Sequence, residues 1–171
     1  KLFLESLNYK GQVYNVDPNK KMITEGKKKF KNIDNIKWFV NSAENLKFKD
    51  NYFDFYTISF GLRNTKNIDK SLKEACRVLK PGGKFLCLEF SHVQNPPLAR
   101  LYQSWSFKVL PVMGQLIAGD ADSYRYLAES IRTFPTKEVL ADMLAQAGFA
   151  QIRVRSLSAG IACIHSGWKL D

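Results

Sequence analysis

Apolar residues along this chain recur with two different periods. Short apolar runs bounded by turn residues predict β-strands, and apolar positions three or four residues apart predict α-helices. The predicted strands cover 12–17, 36–41, 53–59, 83–90, 150–157 and 160–168, and the predicted helices cover 1–8, 18–30, 67–79, 97–132 and 136–147. Because strands and helices alternate, we expect an α/β fold with an open, mostly parallel sheet in one domain over residues 1–171.

Residues with special backbone or capping chemistry mark the ends of these elements. Proline is tolerated in the first turn of a helix, so Pro18 is expected to open the second predicted helix. Asn67 is expected to cap the third helix, and Gly148 is expected to end the last one. These residues fix the approximate bounds of the elements independently of the apolar pattern.

The sequence Pro81-Gly82-Gly83 predicts a tight turn between a helix that ends at Leu79 and an apolar strand. Proline cannot continue a helix, and glycine supplies the left-handed backbone that such a turn needs. A phosphate-binding loop would instead follow a strand and open a helix. We therefore interpret this turn as structural and not as a nucleotide-binding loop.

Charge is distributed unevenly along the chain. The net charge is +10, and residues 1–84 hold most of the excess, with 18 Lys and Arg against 9 Asp and Glu. A basic surface can bind nucleic acid or an anionic membrane. The alternative is a lysine-rich face exposed to water, which the scattered lysines and few interleaved aromatic residues favour. Only residues 27–31 form a cluster, and it fits the exposed side of a helix.

Cysteine spacing argues against a metal cluster and against a disulfide framework. Cys76, Cys87 and Cys163 are far apart in sequence, odd in number and each within an apolar stretch. We predict three reduced, mostly buried thiols and no metal site. No apolar run is long enough to predict a membrane span, because Lys108 and Pro111 interrupt the richest region.

Four segments carry motifs that go beyond these general patterns. Residues 77–91 read RVLKPGGKFLCLEFS, residues 60–64 read FGLRN, residues 119–127 read GDADSYRYL and residues 164–170 read IHSGWKL. Together they closely resemble the ubiquinone/menaquinone biosynthesis C-methyltransferases of the UbiE type. The resemblance implies an enzyme, an S-adenosylmethionine-dependent C-methyltransferase that methylates the ring of a polyprenyl benzoquinol or of demethylmenaquinol.

The resemblance also implies a particular fold. Class I methyltransferases have a Rossmann-like sheet with helices on both faces, and they begin with a strand and a glycine-rich loop. Neither precedes the helix predicted at residues 1–8. We therefore expect this chain to be an N-terminally truncated piece of a longer enzyme, with the first strand and loop missing. A helical insertion at about 92–132 is expected to cover the substrate.

Polar side chains at the carboxyl ends of the predicted strands are the expected cofactor ligands, since ligands in doubly wound sheets bind there. By resemblance, Asp17 would accept the ribose hydroxyls of S-adenosylmethionine, and Ser42 and Ala43 would lie at the adenine. Ser59 matches a further cofactor-contacting position. The alternative for Asp17 is a helix N-cap ahead of Pro18.

Arg63 and Asn64 are the expected catalytic residues. Ionising a phenol at pH 7 costs roughly 4 kcal/mol, and one hydrogen bond to a charged group contributes roughly 1.5–3 kcal/mol. Arg63 would stabilise the developing phenolate, and Asn64 would orient it or a water. The alternative for Arg63 is a surface ion pair. Glu89 is a candidate base, although a role in bonding a loop or helix end fits it equally well.

Aromatic and acidic residues of the insertion are the expected substrate contacts. Tyr102, Trp105, Asp122 and Tyr124 fall in the region that the family uses to cover its substrate. Asp120, Asp122 and Tyr124 are further candidates for the base. A core helix or a subunit interface explains the same apolar stripe, and both interpretations stay open.

The resemblance implies partners and a location as well. We expect a polyprenyl quinol substrate, association with a membrane periphery or a quinone-biosynthesis complex, a homodimer as a candidate state, and no nucleic acid. The location would be the matrix side of the mitochondrial inner membrane in a eukaryote, or the cytoplasm or membrane periphery in a bacterium. Two alternatives remain: a non-catalytic methyltransferase-fold subunit of such a complex, and a nucleic-acid methyltransferase or binder.

Overall fold

The computed structural model describes residues 10–93 and 121–171, together with positions 97, 99–100 and 104. The chain divides into two compact units, residues 1–48 and residues 49–171. The helix predicted at residues 1–8 lies outside the described residues. So does most of the predicted insertion before residue 121.

The first unit contains two parallel strands and one helix. The elements are β1 (Val13–Asp17), α1 (Lys20–Lys29) and β2 (Ile36–Val40), and the register pairs Asp17 with Val40, so that the two strands end level. Gly26 lets helix and strand approach closely, because a Cβ at that position would overlap the Trp38 ring. Phe39 of β2 packs against Phe48, with ring centroids 5.1 Å apart.

Helix α1 begins two residues later than the sequence predicted. Asn19 is the N-cap, and its side chain accepts a hydrogen bond from the Lys21 N–H at 2.9 Å. Asp17 Oδ1 accepts the Asn19 N–H at 2.7 Å, which fixes the turn that contains Pro18. Pro18 therefore precedes the cap and does not open the helix, because Asn19 supplies the capping oxygen that proline lacks.

The second unit is a four-stranded mixed sheet with helices. Its elements are β3 (Phe53–Ser59), a 3-10 turn (Leu62–Asn64), α2 (Ile68–Val78), β4 (Leu79–Phe90), α3 (Ala121–Thr133), α4 (Lys137–Gln146), β5 (Phe149–Leu157), a second 3-10 turn (Ser158–Gly160) and β6 (Ala162–Lys169). The strand order is β3-β4-β6-β5. The α/β fold class is therefore confirmed.

The prediction of a mostly parallel sheet holds for β3, β4 and β5, which run in the same direction, and among the described strands of this sheet β6 alone is reversed. β3 pairs with β4 in parallel, whereas β6 runs antiparallel to both β4 and β5. The short connection Ser158–Ile161 explains the direction, because only a longer crossover can return a chain to a parallel neighbour. Strands 150–157 and 160–168 were otherwise predicted to within two residues.

The Pro-Gly-Gly turn forms a bulge inside β4. Leu79 already pairs with Phe53, and the next paired residues are Phe55 and Lys84, so extra residues of β4 bulge between them. Gly82 has a φ of 76°, in the left-handed region, as the sequence predicted. A Cβ at Gly83 would lie 2.7 Å from the Lys80 carbonyl oxygen. Both glycines therefore have a structural role in the backbone of the bulge.

Helices α2 and α4 pack on the sheet through the apolar residues of one core. The largest fully buried apolar side chains of this core are those of Phe85, Leu62, Leu72, Leu79, Leu140 and Leu144. Asn67 caps α2 and Thr136 caps α4, and Gly148 follows α4 with a φ of 101°. All three cysteines are free and buried, which confirms the prediction of reduced, buried thiols. Among the described residues, no helix combines the length and the apolar content that crossing a membrane requires.

Candidate functional site

Arg63, in the turn after β3, and Glu89, in the last residues of β4, form a buried ion pair at the carboxyl ends of these strands. Arg63 Nη1 lies 3.0 Å from Glu89 Oε2, and the two side chains are 10% and 1% exposed. The parallel register brings them together, since Ser59 ends β3 opposite Leu88 and β4 continues for two more residues, which include Glu89. The sequence allowed Arg63 a surface ion pair as the alternative role. In the structure its partner lies in the core.

Glu89 is a carboxylate whose oxygens already accept three hydrogen bonds. The donors are the Arg63 guanidinium, the Arg63 backbone N–H at 3.3 Å and the Phe90 backbone N–H at 3.2 Å. This arrangement corresponds to the loop-bonding role that the sequence left open beside that of a base. Burial raises the pKa of the neighbouring Cys87 thiol, and the charge of Glu89 raises it further. Cys87 therefore stays protonated and is not a nucleophile.

The backbone of Phe60 is strained at the start of the turn that carries Arg63 and Asn64. Its φ is 52°, a left-handed value that costs a residue with a side chain about 1–3 kcal/mol. The Phe60 carbonyl accepts hydrogen bonds from Arg63 Nη1 at 2.5 Å and from Asn64 Nδ2 at 3.4 Å. The Phe60 ring also packs on the Phe90 ring, with centroids 4.7 Å apart. These contacts offset the strain and hold the turn in one shape.

Arg63 keeps unused donors although Nη1 is engaged. Within the described residues, its Nε is buried without a hydrogen-bond partner. Arginine has five N–H donors, and the contacts to Glu89 and Phe60 use one of its nitrogens. The side chain lines an open cleft of about 390 Å³ whose other lining residues include Lys66, Asn67 and Thr133. Because Nη1 is engaged and Nε is buried, Nη2 is the nitrogen that the guanidinium can present to an anionic or phenolic oxygen.

Asn64 is held by a tyrosine from helix α3. Tyr126 Oη donates to Asn64 Oδ1 at 3.2 Å, while Asn64 Nδ2 donates to the Phe60 carbonyl. Both ends of the carboxamide are thus occupied, which fixes its orientation. The sequence does not indicate Tyr126 as a site residue, because nothing in the apolar pattern links α3 to this turn.

In the first unit, Asp17 ends β1 and lines a cavity of about 560 Å³ together with Asn15, Met22 and Trp38. Its Oδ1 accepts the Asn19 N–H, so Asp17 supports the helix start from outside the cap. The N-cap alternative for Asp17 is therefore wrong, because Asn19 takes that position. A carboxylate at a parallel strand end can accept hydroxyl protons of a ribose.

Ser42 and Ala43 follow the end of β2 and are half-buried. The Ser42 hydroxyl donates to Glu44 Oε2 at 2.8 Å and accepts the Glu44 N–H at 3.2 Å. This local turn engages both functions of the hydroxyl. A ligand bound after β2 can therefore contact the backbone and the surface of Ala43 more readily than the Ser42 side chain.

The remaining predicted site residues fall into three groups. Ser59 is exposed and ends β3, directly before the strained Phe60. Asp122 is 90% exposed on its side chain and pairs with Arg125 on the same helix at 2.8 Å, and Tyr124 is half-buried. The third group, Tyr102, Trp105 and Asp120, lies outside the described residues.

Both histidines bond to backbone carbonyl groups. His92 Nε2 lies 3.2 Å from the Ile131 oxygen, and His165 Nε2 lies 2.9 Å from the Lys137 oxygen. Burial lowers the pKa of His165 below its usual value, which keeps the ring neutral. Across the residues that the structure describes, no three His, Cys, Asp or Glu side chains are placed to bind a metal ion together.

The α/β architecture described above is the fold of the class I S-adenosylmethionine-dependent methyltransferases. A solved methyltransferase of this kind from Thermotoga maritima, described as a possible histamine N-methyltransferase, covers 92% of this chain with a TM-score of 0.66 and 22% identity. The match covers 72% of that structure. The shared fold confirms the predicted architecture.

The chain belongs to the ubiE/COQ5 methyltransferase family, whose family model matches residues 2–169. The chain is 53% identical over 162 residues to the mitochondrial 2-methoxy-6-polyprenyl-1,4-benzoquinol methylase of Gallus gallus, covering 93% of the chain and 52% of that protein. It is 56% identical over 138 residues to the ubiquinone/menaquinone biosynthesis C-methyltransferase UbiE of Brucella canis, covering 81% and 51%. The chain thus spans about half the length of these relatives.

Proposed function

We propose that this chain forms part of an S-adenosylmethionine-dependent C-methyltransferase that acts on the ring of a polyprenyl benzoquinol or of demethylmenaquinol. Family membership over residues 2–169 supports this proposal. The observation that carries it is the Arg63–Glu89 pair, which holds a cation with spare donors beyond the strand ends, where α/β folds bind ligands. We further propose that both units belong to one methyltransferase domain.

The reaction replaces a ring hydrogen of the quinol with a methyl group. The phenol loses its proton, the electron-rich ring carbon attacks the methyl carbon of the sulfonium, and the bond from that methyl carbon to sulfur breaks with its electron pair going to sulfur. The ring then releases the proton of the substituted carbon to water and regains its aromatic form as a phenolate, which takes a proton from water to replace the one lost at the start. One proton is therefore released for each methyl group transferred. The residues of this chain must therefore stabilise a phenolate and align two reactants.

Arg63 would stabilise the phenolate oxygen through the donors that Glu89 leaves free. Its pairing with Glu89 offsets part of its charge, so the pair contributes less than an isolated guanidinium would. A single hydrogen bond to a charged group contributes roughly 1.5–3 kcal/mol, against roughly 4 kcal/mol for ionising a phenol at pH 7. Asn64 would supply the second donor, directly or through a water, with the Nδ2 hydrogen that does not bond to the Phe60 carbonyl.

S-adenosylmethionine would bind at the strand ends as the co-substrate. Asp17 would accept the ribose hydroxyls, Ser42 and Ala43 would lie at the adenine, and Ser59 would be a further cofactor contact. Because the Ser42 hydroxyl is engaged by Glu44, we propose that the contact after β2 is made by backbone and by Ala43. Tyr102, Trp105, Asp122 and Tyr124 remain the proposed contacts to the quinol and its tail.

Membrane association would bring the enzyme to a lipid substrate. The outer side of α1 is strongly basic, and its exposed lysines are Lys20, Lys21, Lys27, Lys28 and Lys29. Met22 is 59% exposed beside them. Each lysine near an anionic bilayer contributes about 1 kcal/mol. We propose a membrane-peripheral protein, on the matrix side of the inner mitochondrial membrane in a eukaryote, with a quinone-biosynthesis complex or a homodimer as its assembled state.

The test is methyl transfer by the natural full-length protein that contains these residues. Labelled S-adenosylmethionine is supplied with a polyprenyl benzoquinol, with demethylmenaquinol and with RNA in parallel reactions. Label in either quinol supports the proposal, and the ratio of the two rates gives the preferred ring. Binding of S-adenosylmethionine without transfer to any acceptor would contradict it in favour of a non-catalytic subunit. Transfer to RNA alone would contradict it in favour of a nucleic-acid enzyme.

A further inference from the structure

A tyrosine outside the predicted site ties helix α3 to the turn that carries Arg63 and Asn64. Tyr126 Oη donates to Asn64 Oδ1 at 3.2 Å, across a separation of 62 residues in the sequence. Tyr126 lies in the middle of α3, and Asn64 ends the 3-10 turn after β3. The bond therefore joins two elements that are far apart in the sequence.

Packing does not explain why Tyr126 is placed there. Tyr126 is 57% exposed, so its ring is only partly held by neighbours. A hydrogen bond adds only a modest net amount to the stability of a fold, because folding exchanges bonds to water for bonds within the protein. The consequence of the bond is therefore geometric: it sets the direction in which the Asn64 carboxamide points.

The orientation of Asn64 is linked to that of Arg63 through one carbonyl group. The Phe60 oxygen accepts both Asn64 Nδ2 and Arg63 Nη1, and Phe60 holds a left-handed backbone at that point. A hydrogen-bond chain therefore runs from Tyr126 through Asn64 and Phe60 to Arg63 and Glu89. Moving α3 would release the first member of this chain.

We propose that Tyr126 is a positioning residue for methyl transfer, which holds the Asn64 carboxamide in its productive orientation when α3 lies against the turn. This inference rests on the proposed function. Tyr126 acts through Asn64 and has no contact of its own with the reacting atoms. Its hydroxyl, and not its ring, carries the effect.

The kinetic test removes only that hydroxyl, in the natural full-length protein. Tyr126→Phe is expected to lower kcat about threefold to tenfold, the size of one net hydrogen bond, with KM for both substrates changing less than about twofold. In an Asn64→Ala background, Tyr126→Phe is expected to have no further effect on kcat. An unchanged kcat, or an equal loss of kcat in both backgrounds, would overturn the proposal.

A matched control separates this effect from the general loss of a tyrosine hydroxyl. Tyr52 is 42% exposed and precedes β3, whereas the Asn64 turn follows β3. The strand places the two sites on the order of 20 Å apart. Tyr52→Phe is expected to leave kcat unchanged. A loss of kcat in Tyr52→Phe equal to that in Tyr126→Phe would overturn the proposal.

A spectroscopic measurement tests the same bond without relying on activity. The side-chain amide signals of Asn64, in a uniformly nitrogen-15-labelled protein, are expected to shift in Tyr126→Phe and to stay in place in Tyr52→Phe. Unmoved Asn64 signals in Tyr126→Phe would overturn the inference. If the wild-type protein transfers no methyl group and yet the signals shift, the proposed function fails while the positioning bond is supported.

Discussion

Arg63 and Glu89 are joined by a side-chain ion pair and by a bond from the Arg63 backbone N–H to the same carboxylate. A carboxylate that is 1% exposed thus fixes both the turn and the guanidinium. The site proposed for methyl transfer is for this reason also a structural element of the second unit. Variants at either residue must be interpreted for stability before they are interpreted for catalysis.

Glu89→Ala is expected to lower the free energy of unfolding by about 3–5 kcal/mol, because it leaves Arg63 as an uncompensated buried charge. The measurement is chemical denaturation. Replacing both partners, as Arg63→Met with Glu89→Leu, should recover most of this loss. Asp54→Ala serves as the control, since it breaks an exposed pair with Lys80 and should cost less than about 1 kcal/mol. Equal losses for Glu89→Ala and Asp54→Ala would contradict the burial of the pair.

His165 predicts a loss of stability at mildly acidic pH. Desolvation lowers the pKa of His165 in the folded protein below the usual value of 6.5, and the charge of Lys137 lowers it further. The hydrogen bond to the Lys137 backbone and the charge of Glu138 act in the opposite direction but are weaker than desolvation. At mildly acidic pH the unfolded chain therefore binds more protons than the folded chain. The contribution of His165 to the free energy of unfolding is complete above about pH 6.5 and falls as pH decreases toward the folded pKa.

Denaturation of wild type and His165→Asn over pH 5 to 8 checks that prediction. The wild type is expected to lose stability below about pH 6.5, and the variant to lose less over the same interval. An identical dependence on pH in the two proteins would show that the folded state does not disfavour the charged ring.

The two glycines of the β4 bulge should respond differently to substitution. Gly82→Asn is expected to cost less than about 1 kcal/mol, because asparagine tolerates a left-handed backbone and nothing lies within 4 Å of a Cβ there. Gly83→Asn should cost about 1–3 kcal/mol, because its Cβ would lie 2.7 Å from the Lys80 carbonyl oxygen. Thermal unfolding of both variants checks the order. The reverse order would contradict the described bulge.

Asp17→Asn separates the proposed ribose contact from the turn that Asp17 supports. Asparagine still has an oxygen to accept the Asn19 N–H, so stability should stay within about 0.5 kcal/mol of wild type. Affinity for S-adenosylmethionine should fall about tenfold to a hundredfold through loss of charge-assisted hydrogen bonds. Isothermal titration of the natural full-length protein measures this loss. Unchanged affinity would remove Asp17 from the cofactor site.

Local chemistry made the elements of this fold predictable from the sequence. The strand Phe53–Ser59 was predicted at its observed bounds, and Asn67 caps α2 as expected, because each depends on residues close together in the chain. The antiparallel direction of β6 was not predicted, since it depends on which strand is its neighbour. The start of α1 was missed because Asn19 competes with Pro18 for the first turn.

The site was predictable residue by residue but not as a network. Arg63 and Glu89 were both placed at strand ends, yet their pairing depends on the register of β3 against β4. One signal was available: Glu89 continues the buried alternation of Phe85 and Cys87, and a carboxylate at a core position requires a cation. The bond between Tyr126 and Asn64 had no such signal, because it joins exposed residues of distant elements.

Arg63→Lys tests the central claim most directly, because lysine keeps the charge that pairs with Glu89 but lacks the additional planar donors of arginine. The measurement is quinol methylation by the natural full-length protein, followed by mass spectrometry of the lipid product, beside titration of S-adenosylmethionine. We expect binding of S-adenosylmethionine within about twofold of wild type and a loss of kcat of about tenfold or more. Turnover equal to wild type, with the fold intact, would contradict the account and exclude Arg63 from methyl transfer.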